Sequence, residues 1–320
     1  MVRQQRTIAE EVVIQGQGLH TGNLVTMRIK PAASGAGIKF VRVDRTPAVE
    51  IPANVTSIPE SVSTYRNTTI SNGDVEIHTV EHILAACYGL GIDNLVIEMD
   101  ANEPPEPPSG TYAAYAADLE KAGIVAQGAP ADVLTIDRAV TMKENGIEIN
   151  AVPADDFRVS FTIQYDNPQI GTQYASFSIS PDVFEKEIAP ARTFVMFDDV
   201  ERLRGMGHIK GGSLKNALVF TRDGVMNEEH LRFPDECVRH KILDLVGDLS
   251  LLGAPIRGHI HAIKSGHDAN VRFVRKLHEL HQQKKRSSAS SAAGVWDIGL
   301  IQEIMPHRYP FLFVDRILEL

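Results

Sequence analysis

Along the first third of the chain, apolar side chains recur with the two-residue period of half-buried strands. Val25, Met27 and Ile29 alternate with polar neighbours, and the stretches 38–43 and 94–99 read the same way. Between these two stretches the period lengthens. Ile83, Leu84, Cys87 and Leu90 stand at helical spacing, which predicts a helix over 79–90. Thr79 is placed to cap its start, and Gly89 and Gly91 bracket its end. A second helix is expected over 112–122.

After Gly128-Ala129-Pro130, which reads as a joint, the theme returns. Strands are expected over 133–142, 146–152, 157–165 and 174–179. A longer helix follows over 235–252, its apolar stripe formed by Val238, Ile242, Leu245, Val246, Leu249 and Leu252 and its end marked by Gly253 and Pro255. A strand over 259–263 and a helix over 270–281 complete the second half. Strands running into helices without strict alternation favour the α+β class, and the likeness of the halves suggests a duplication. The expected organisation is a domain over 1–127, a second over 131–280, a linker over 281–295, where Ser and Ala crowd together, and a short segment over 296–320.

Composition narrows the function classes. A net charge of -9 on 320 residues argues against a general nucleic-acid binder, which needs a basic footprint. Cys87 and Cys237 sit in apolar helical contexts without a C-x-x-C partner and read as reduced core residues. No apolar run approaches the ~20 residues of a membrane span, and the N-terminus lacks a signal-peptide pattern. A cytoplasmic location is expected.

Three segments carry candidate chemistry. His78-Thr79-Val80-Glu81-His82 matches H-x-x-E-H, the inverted zincin pattern, in which two histidines on one helix face bind a metal. His240 and Asp244 are four apart on the polar side of the long helix, and Asp248 continues that line. Lys264-Ser265-Gly266-His267 places a histidine just after a strand. Zinc suits such groups, because a catalytic zinc takes three His or carboxylate ligands. Taken singly, each segment is more readily a solvated helix face or loop than a metal site. Spacing does not bring the three together in space.

Taken together, the segments resemble the UDP-3-O-acyl-N-acetylglucosamine deacetylases, the zinc enzymes of lipid A synthesis. The matching stretches include Gly16-Gln17-Gly18-Leu19-His20-Thr21-Gly22, Thr79-Val80-Glu81-His82, Ala191-Arg192-Thr193-Phe194, Gly211-Gly212-Ser213, Val238-Arg239-His240-Lys241 and Lys264-Ser265-Gly266-His267. They occur in family order over nearly all of residues 3–280. The resemblance implies two similar two-layer domains, each a β-sheet packed on a pair of helices, with small inserts and zinc at the domain interface. It implies His82, His240 and Asp244 as the Zn2+ ligands, which leaves His78 outside the set. Glu81 would be the general base, His267 the protonated partner, Asp248 the residue that orients His267, and Thr193 an oxyanion donor. Lys241, Lys264, Phe194, Tyr165 and Gly212 would face the UDP-linked acylated glucosamine, and Asp199 would pair with Lys241. An insert over 194–222 would line an apolar passage for the acyl chain with Val195, Met196, Leu203, Met206, Ile209 and Leu214. Where the family carries an Asp-Gly-Ser element, this chain has Pro107-Pro108-Ser109-Gly110 and lacks the acid.

Residues 301–316 resemble the start of 3-hydroxyacyl-[acyl-carrier-protein] dehydratase, as in bifunctional fusion proteins. That family's catalytic histidine and acid are not in this stretch, so no dehydratase activity is expected from residues 1–320. Acyl carrier protein would be a partner only with a full dehydratase module. Contact with a membrane surface would be transient. Two other readings stand beside the deacetylase: a zinc metallopeptidase of H-x-x-E-H type, using His78 and His82, and a non-catalytic sugar-nucleotide or acyl-carrier binding protein.

Overall fold

The period-2 stretches form two sheets built on one plan. The computed structural model describes residues 3–59, 66–292, 296–297 and 316–317, and the chain forms two compact units, Met1–Val274 and Arg275–Leu320. In the first unit, one sheet comprises β1 (Val12–Gln17), β2 (Leu24–Pro31), β3 (Ile38–Arg42), β4 (Val49–Pro52) and β5 (Leu95–Met99), in the order β1-β2-β5-β3-β4. The other comprises β6 (Val140–Glu144), β7 (Ile147–Val152), β8 (Phe157–Gln164), β9 (Thr172–Ser178) and β10 (Ile256–Ile263), in the order β6-β7-β10-β8-β9. The sense of pairing also repeats. β5 is antiparallel to β2 and parallel to β3, with Ile97 opposite Ile29 and Phe40. β10 is antiparallel to β7 and parallel to β8, with Ile260 opposite Ala151 and Val159. The suggested duplication is therefore present in topology.

Each sheet buries one face. Met27, Ile29, Phe40, Ile51, Leu95, Ile97 and Met99 fill the first core, while Ile149, Ala151, Val159, Phe161, Ile260 and Ala262 fill the second. In each repeat a helix precedes the central strand and another follows it. These are α1 (Glu81–Gly89) and α2 (Ala113–Lys121) in the first, and α3 (Glu236–Ser250) and α4 (His267–Ala292) in the second. Almost all of α1 is buried, as expected of a helix with apolar residues on every side. It packs on α3. The crossing is close because Gly247 has no Cβ: one added there would collide with the main-chain oxygen of Glu81.

Several expected elements take a different form. Gly128, Ala129 and Pro130 belong to a strand, Ile124–Pro130, which pairs antiparallel with Gln4–Ile8. That partner lies more than a hundred residues away, so a local reading finds only turn residues. The expected strand over 133–142 is broken: Leu134–Thr135 pairs parallel with the start of β10, and β6 begins at Val140. Helix α4 runs through the expected linker as far as Ala292, because Lys, Arg, Gln and Ala are strong helix formers that outweigh the serines. Residues 293–295, and all of 296–320 except the antiparallel pair Trp296–Asp297 and Arg316–Ile317, lie outside the described residues.

Thr79 does not cap α1. It sits at φ +55° before the helix begins, and its hydroxyl donates to Glu103 at 2.7 Å. Cys87 and Cys237 are buried and unpaired. Among the described residues, no helix is long and apolar enough to cross a membrane.

Candidate metal centre and acid–base pair

The crossing of α1 and α3 brings together groups that are remote in sequence. His82 lies in the first turn of α1, and His240 and Asp244 share one side of α3. Among the described residues these three form the group whose ligand atoms all lie within 4.8 Å of one another. His82 Nε2 is 3.6 Å and His240 Nε2 3.3 Å from Asp244 Oδ1. Asp244 Oδ1 is buried and has no hydrogen-bond partner. An orphaned carboxylate oxygen facing two imidazole nitrogens is costly unless a cation completes it, and the donor set of two histidines and an aspartate suits zinc. The residues present therefore fit a zinc ion.

The surroundings tune these three groups. Burial lowers the pKa of His240 to about 4, against the opposing charge of Asp244, so its ring is neutral and able to ligate. Its Nδ1 faces the Ala191 carbonyl at 3.2 Å, which leaves Nε2 for the cluster. Burial alone would raise the carboxyl of Asp244, but His240 and Lys241 outweigh it and hold Asp244 well below the usual range. The Lys241 ammonium donates to Asp244 Oδ2 at 2.7 Å.

Glu81 and His267 stand beside this group. Glu81 is buried at the start of α1, and its Oε2 accepts the Thr68 amide at 3.0 Å. Burial raises its pKa to about 7, although His267 and His82 pull the other way. His267 Nε2 lies 3.8 Å from Glu81 Oε1. Burial alone would depress His267, but Asp248 and Glu81 outweigh it and raise its pKa to about 9. The His267 ring is thus an imidazolium at neutral pH, with Nδ1 3.0 Å from Asp248 Oδ2. Asp248 is held in turn by the Thr68 hydroxyl at 2.6 Å and the Asn270 amide at 2.8 Å. Thr68 and Asn270 escaped the sequence reading because no motif spacing marks them.

These groups open onto a cavity of about 620 Å³. Thr193, Phe194, Tyr165, Lys241, Lys264 and Gly212 all line it, while Asp248 lies behind His267. The Tyr165 and Phe194 rings meet edge to face at 5.4 Å. Val195, Met196, Leu203, Ile209 and Leu214 form an apolar wall, but Met206 is 63% exposed and is not part of it. Asp199 pairs with Arg202 at 2.6 Å and Arg66 at 3.3 Å instead of Lys241, whose short reach along its own helix takes it to Asp244.

His78 is also set apart. It precedes α1, and its Nδ1 is 3.0 Å from the Thr69 hydroxyl. The H-x-x-E-H match therefore does not lie on one helix. The Ala-Arg-Thr-Phe segment is fixed by Arg192, which is fully buried and forks onto Glu236 at 2.9 and 3.2 Å. This clamp presents the Ala191 carbonyl to His240 and Thr193 to the cavity.

A buried His, His, Asp set with Glu81 and His267 at its side and a cavity in front is a donor set that could hold a metal ion within reach of a bound molecule. Comparison with known proteins specifies the class. The family described as LpxC, UDP-3-O-acyl N-acetylglycosamine deacetylase, matches residues 5–279, and the chain belongs to it. A UDP-3-O-acyl-N-acetylglucosamine deacetylase of Myxococcus xanthus is 43% identical over 273 residues, covering 85% of this chain and 86% of its own. One of Pseudomonas entomophila is 43% identical over 279 residues, covering 87% and 90%. A protein of Chlorobaculum tepidum named Bifunctional enzyme LpxC/FabZ is 38% identical over 351 aligned positions, covering 100% of this chain and 74% of its own.

Proposed function

We propose that the protein hydrolyses the N-acetyl group of UDP-3-O-(3-hydroxyacyl)-N-acetylglucosamine, releasing acetate, as a zinc-dependent step of lipid A synthesis in the cytoplasm. The observation that carries this is the convergence of His82, His240 and Asp244 within 4.8 Å beside Glu81 and His267. When bound to those three ligands, zinc supplies a Lewis acid that polarises a carbonyl and acidifies water.

The chain's own groups divide the remaining work. Glu81 Oε1 accepts a proton from the water that adds to the acetyl carbon, while the Thr68 amide holds Oε2 in place. Thr193 donates its hydroxyl to the oxygen on which charge develops. The C–N bond breaks as the amine takes a proton from His267 Nε2, and acetate leaves. Asp248 keeps the imidazolium oriented through Nδ1. Lys241 and Lys264 offer positive charge to the sugar and diphosphate, Tyr165 and Phe194 offer ring faces, and Gly212 allows close backbone approach. The apolar wall accepts the acyl chain. In this reading residues 1–127 and 131–280 act as two domains that each contribute ligands. Unpaired, buried Cys87 and Cys237 fit a reducing compartment.

The test is acetate release from the acylated UDP-sugar by purified, zinc-loaded protein. Substrate binding without acetate release would instead support a non-catalytic binding protein.

A further inference from the structure

The two ligand histidines are oriented by different kinds of acceptor. His240 Nδ1 faces a neutral carbonyl, that of Ala191, at 3.2 Å. His82 Nδ1 is buried, has no hydrogen-bond partner, and faces the carboxylate Oε2 of Glu106 at 3.6 Å. Glu106 is itself buried, and among the described residues its side chain forms no ion pair with lysine or arginine. A buried carboxylate without such a partner is costly unless something compensates it. Its other oxygen accepts the Tyr112 hydroxyl at 2.8 Å, and its amide donates to the Gln17 carbonyl at 2.8 Å. The Tyr112 ring lies 4.2 Å from the His82 imidazole, centroid to centroid. Tyr112 thus touches both members of the pair, fixing one carboxylate oxygen and covering one face of the ring.

We propose that Glu106, braced by Tyr112, is a positioning residue that keeps the proton of His82 on Nδ1 and thereby presents Nε2 to the metal. A carboxylate behind an imidazole strengthens it as a ligand and fixes its tautomer. Glu106 also stands just before the Pro107–Gly110 stretch in which an acid was expected and is missing. The inference rests on the reading that His82, His240 and Asp244 hold the ion.

The test measures zinc affinity by competition with a chromophoric chelator, and the visible spectrum of the cobalt-substituted protein, for wild type, Glu106→Gln and Tyr112→Phe. Glu106→Gln is expected to weaken zinc binding by about 10–100-fold, to speed zinc release to EDTA, and to shift the cobalt bands. Tyr112→Phe is expected to shift the bands in the same direction with a smaller loss of affinity. A merely structural role would lower the melting temperature and leave the cobalt spectrum of the folded protein unchanged. An affinity within about twofold of wild type and an unchanged spectrum for Glu106→Gln would overturn the proposal. Should Glu106→Gln fail to fold, an unchanged spectrum and affinity in Tyr112→Phe would do so. Retention of zinc by His82→Ala would instead overturn the metal reading beneath it.

Discussion

Gly247 on α3 stands directly against the main-chain oxygen of Glu81 on α1, at a separation that leaves no room for a Cβ. This crossing sets the distance between His82 on one helix and His240 and Asp244 on the other. Gly247→Ala should push the helices apart. Overpacking of this kind costs about 1–3 kcal/mol, so the denaturation midpoint should fall. Zinc content after dialysis should fall with it, whereas Gly224→Ala, where a Cβ meets nothing within 4 Å, should change neither.

The ligand set is open to metal analysis. His82→Ala, His240→Ala and Asp244→Ala should each purify with little zinc. His78→Ala should retain it, because His78 precedes α1 and bonds to Thr69. Zinc loss in His78→Ala with retention in Asp244→Ala would favour the metallopeptidase reading.

Glu81→Ala should separate metal binding from turnover. Zinc should stay stoichiometric while acetate release falls by about 10²–10⁴-fold, the range for loss of a general base. The same variant should leave KM for the UDP-sugar nearly unchanged, since Glu81 is assigned to the water and not to substrate binding.

The acid–base pair predicts a bell-shaped pH dependence of kcat/KM. The rising limb follows loss of the proton from Glu81, near pH 7, and the falling limb follows loss of the proton from His267, near pH 9. A dication on the neighbouring ligands favours the charged form of Glu81 and disfavours that of His267, moving both limbs downward. His267→Gln should lower the rate and abolish the falling limb, as measured over the pH range in which wild type and variant remain folded.

Stability should respond to acid through Glu236. Burial would raise its carboxyl, but hydrogen bonds from Arg192 and from the Arg232 amide outweigh it and hold the group below its ordinary value. A carboxyl depressed in the folded state stabilises it above the unfolded pKa, and that contribution disappears as pH falls through the folded value. Glu236→Ala leaves the fully buried Arg192 with only the longer ion pair to the exposed Glu229 at 3.4 Å and the His230 carbonyl at 2.9 Å, a loss of up to about 3–5 kcal/mol at neutral pH. The gap in denaturation midpoint between wild type and variant should narrow as pH falls below the carboxylate range.

Sequence alone determined the elements whose signal is local. The apolar stripe of 235–252 gave α3, observed as Glu236–Ser250, and the alternation at 94–99 gave β5, observed as Leu95–Met99. The resemblance carried by the motifs named His82, His240 and Asp244 before any of them had a position. Tertiary structure decided what depends on partners distant along the chain. The strand Ile124–Pro130 exists because Gln4–Ile8 pairs with it, and spacing could not show that α1 crosses α3 closely enough to bring an imidazole from one repeat to an imidazole and a carboxylate of the other. Nor could it show that the backbone turns at Thr79 and leaves His78 off the helix, or that Glu106 faces His82. Periodicity records which face of an element is buried. What that face meets is fixed only when the remote elements pack.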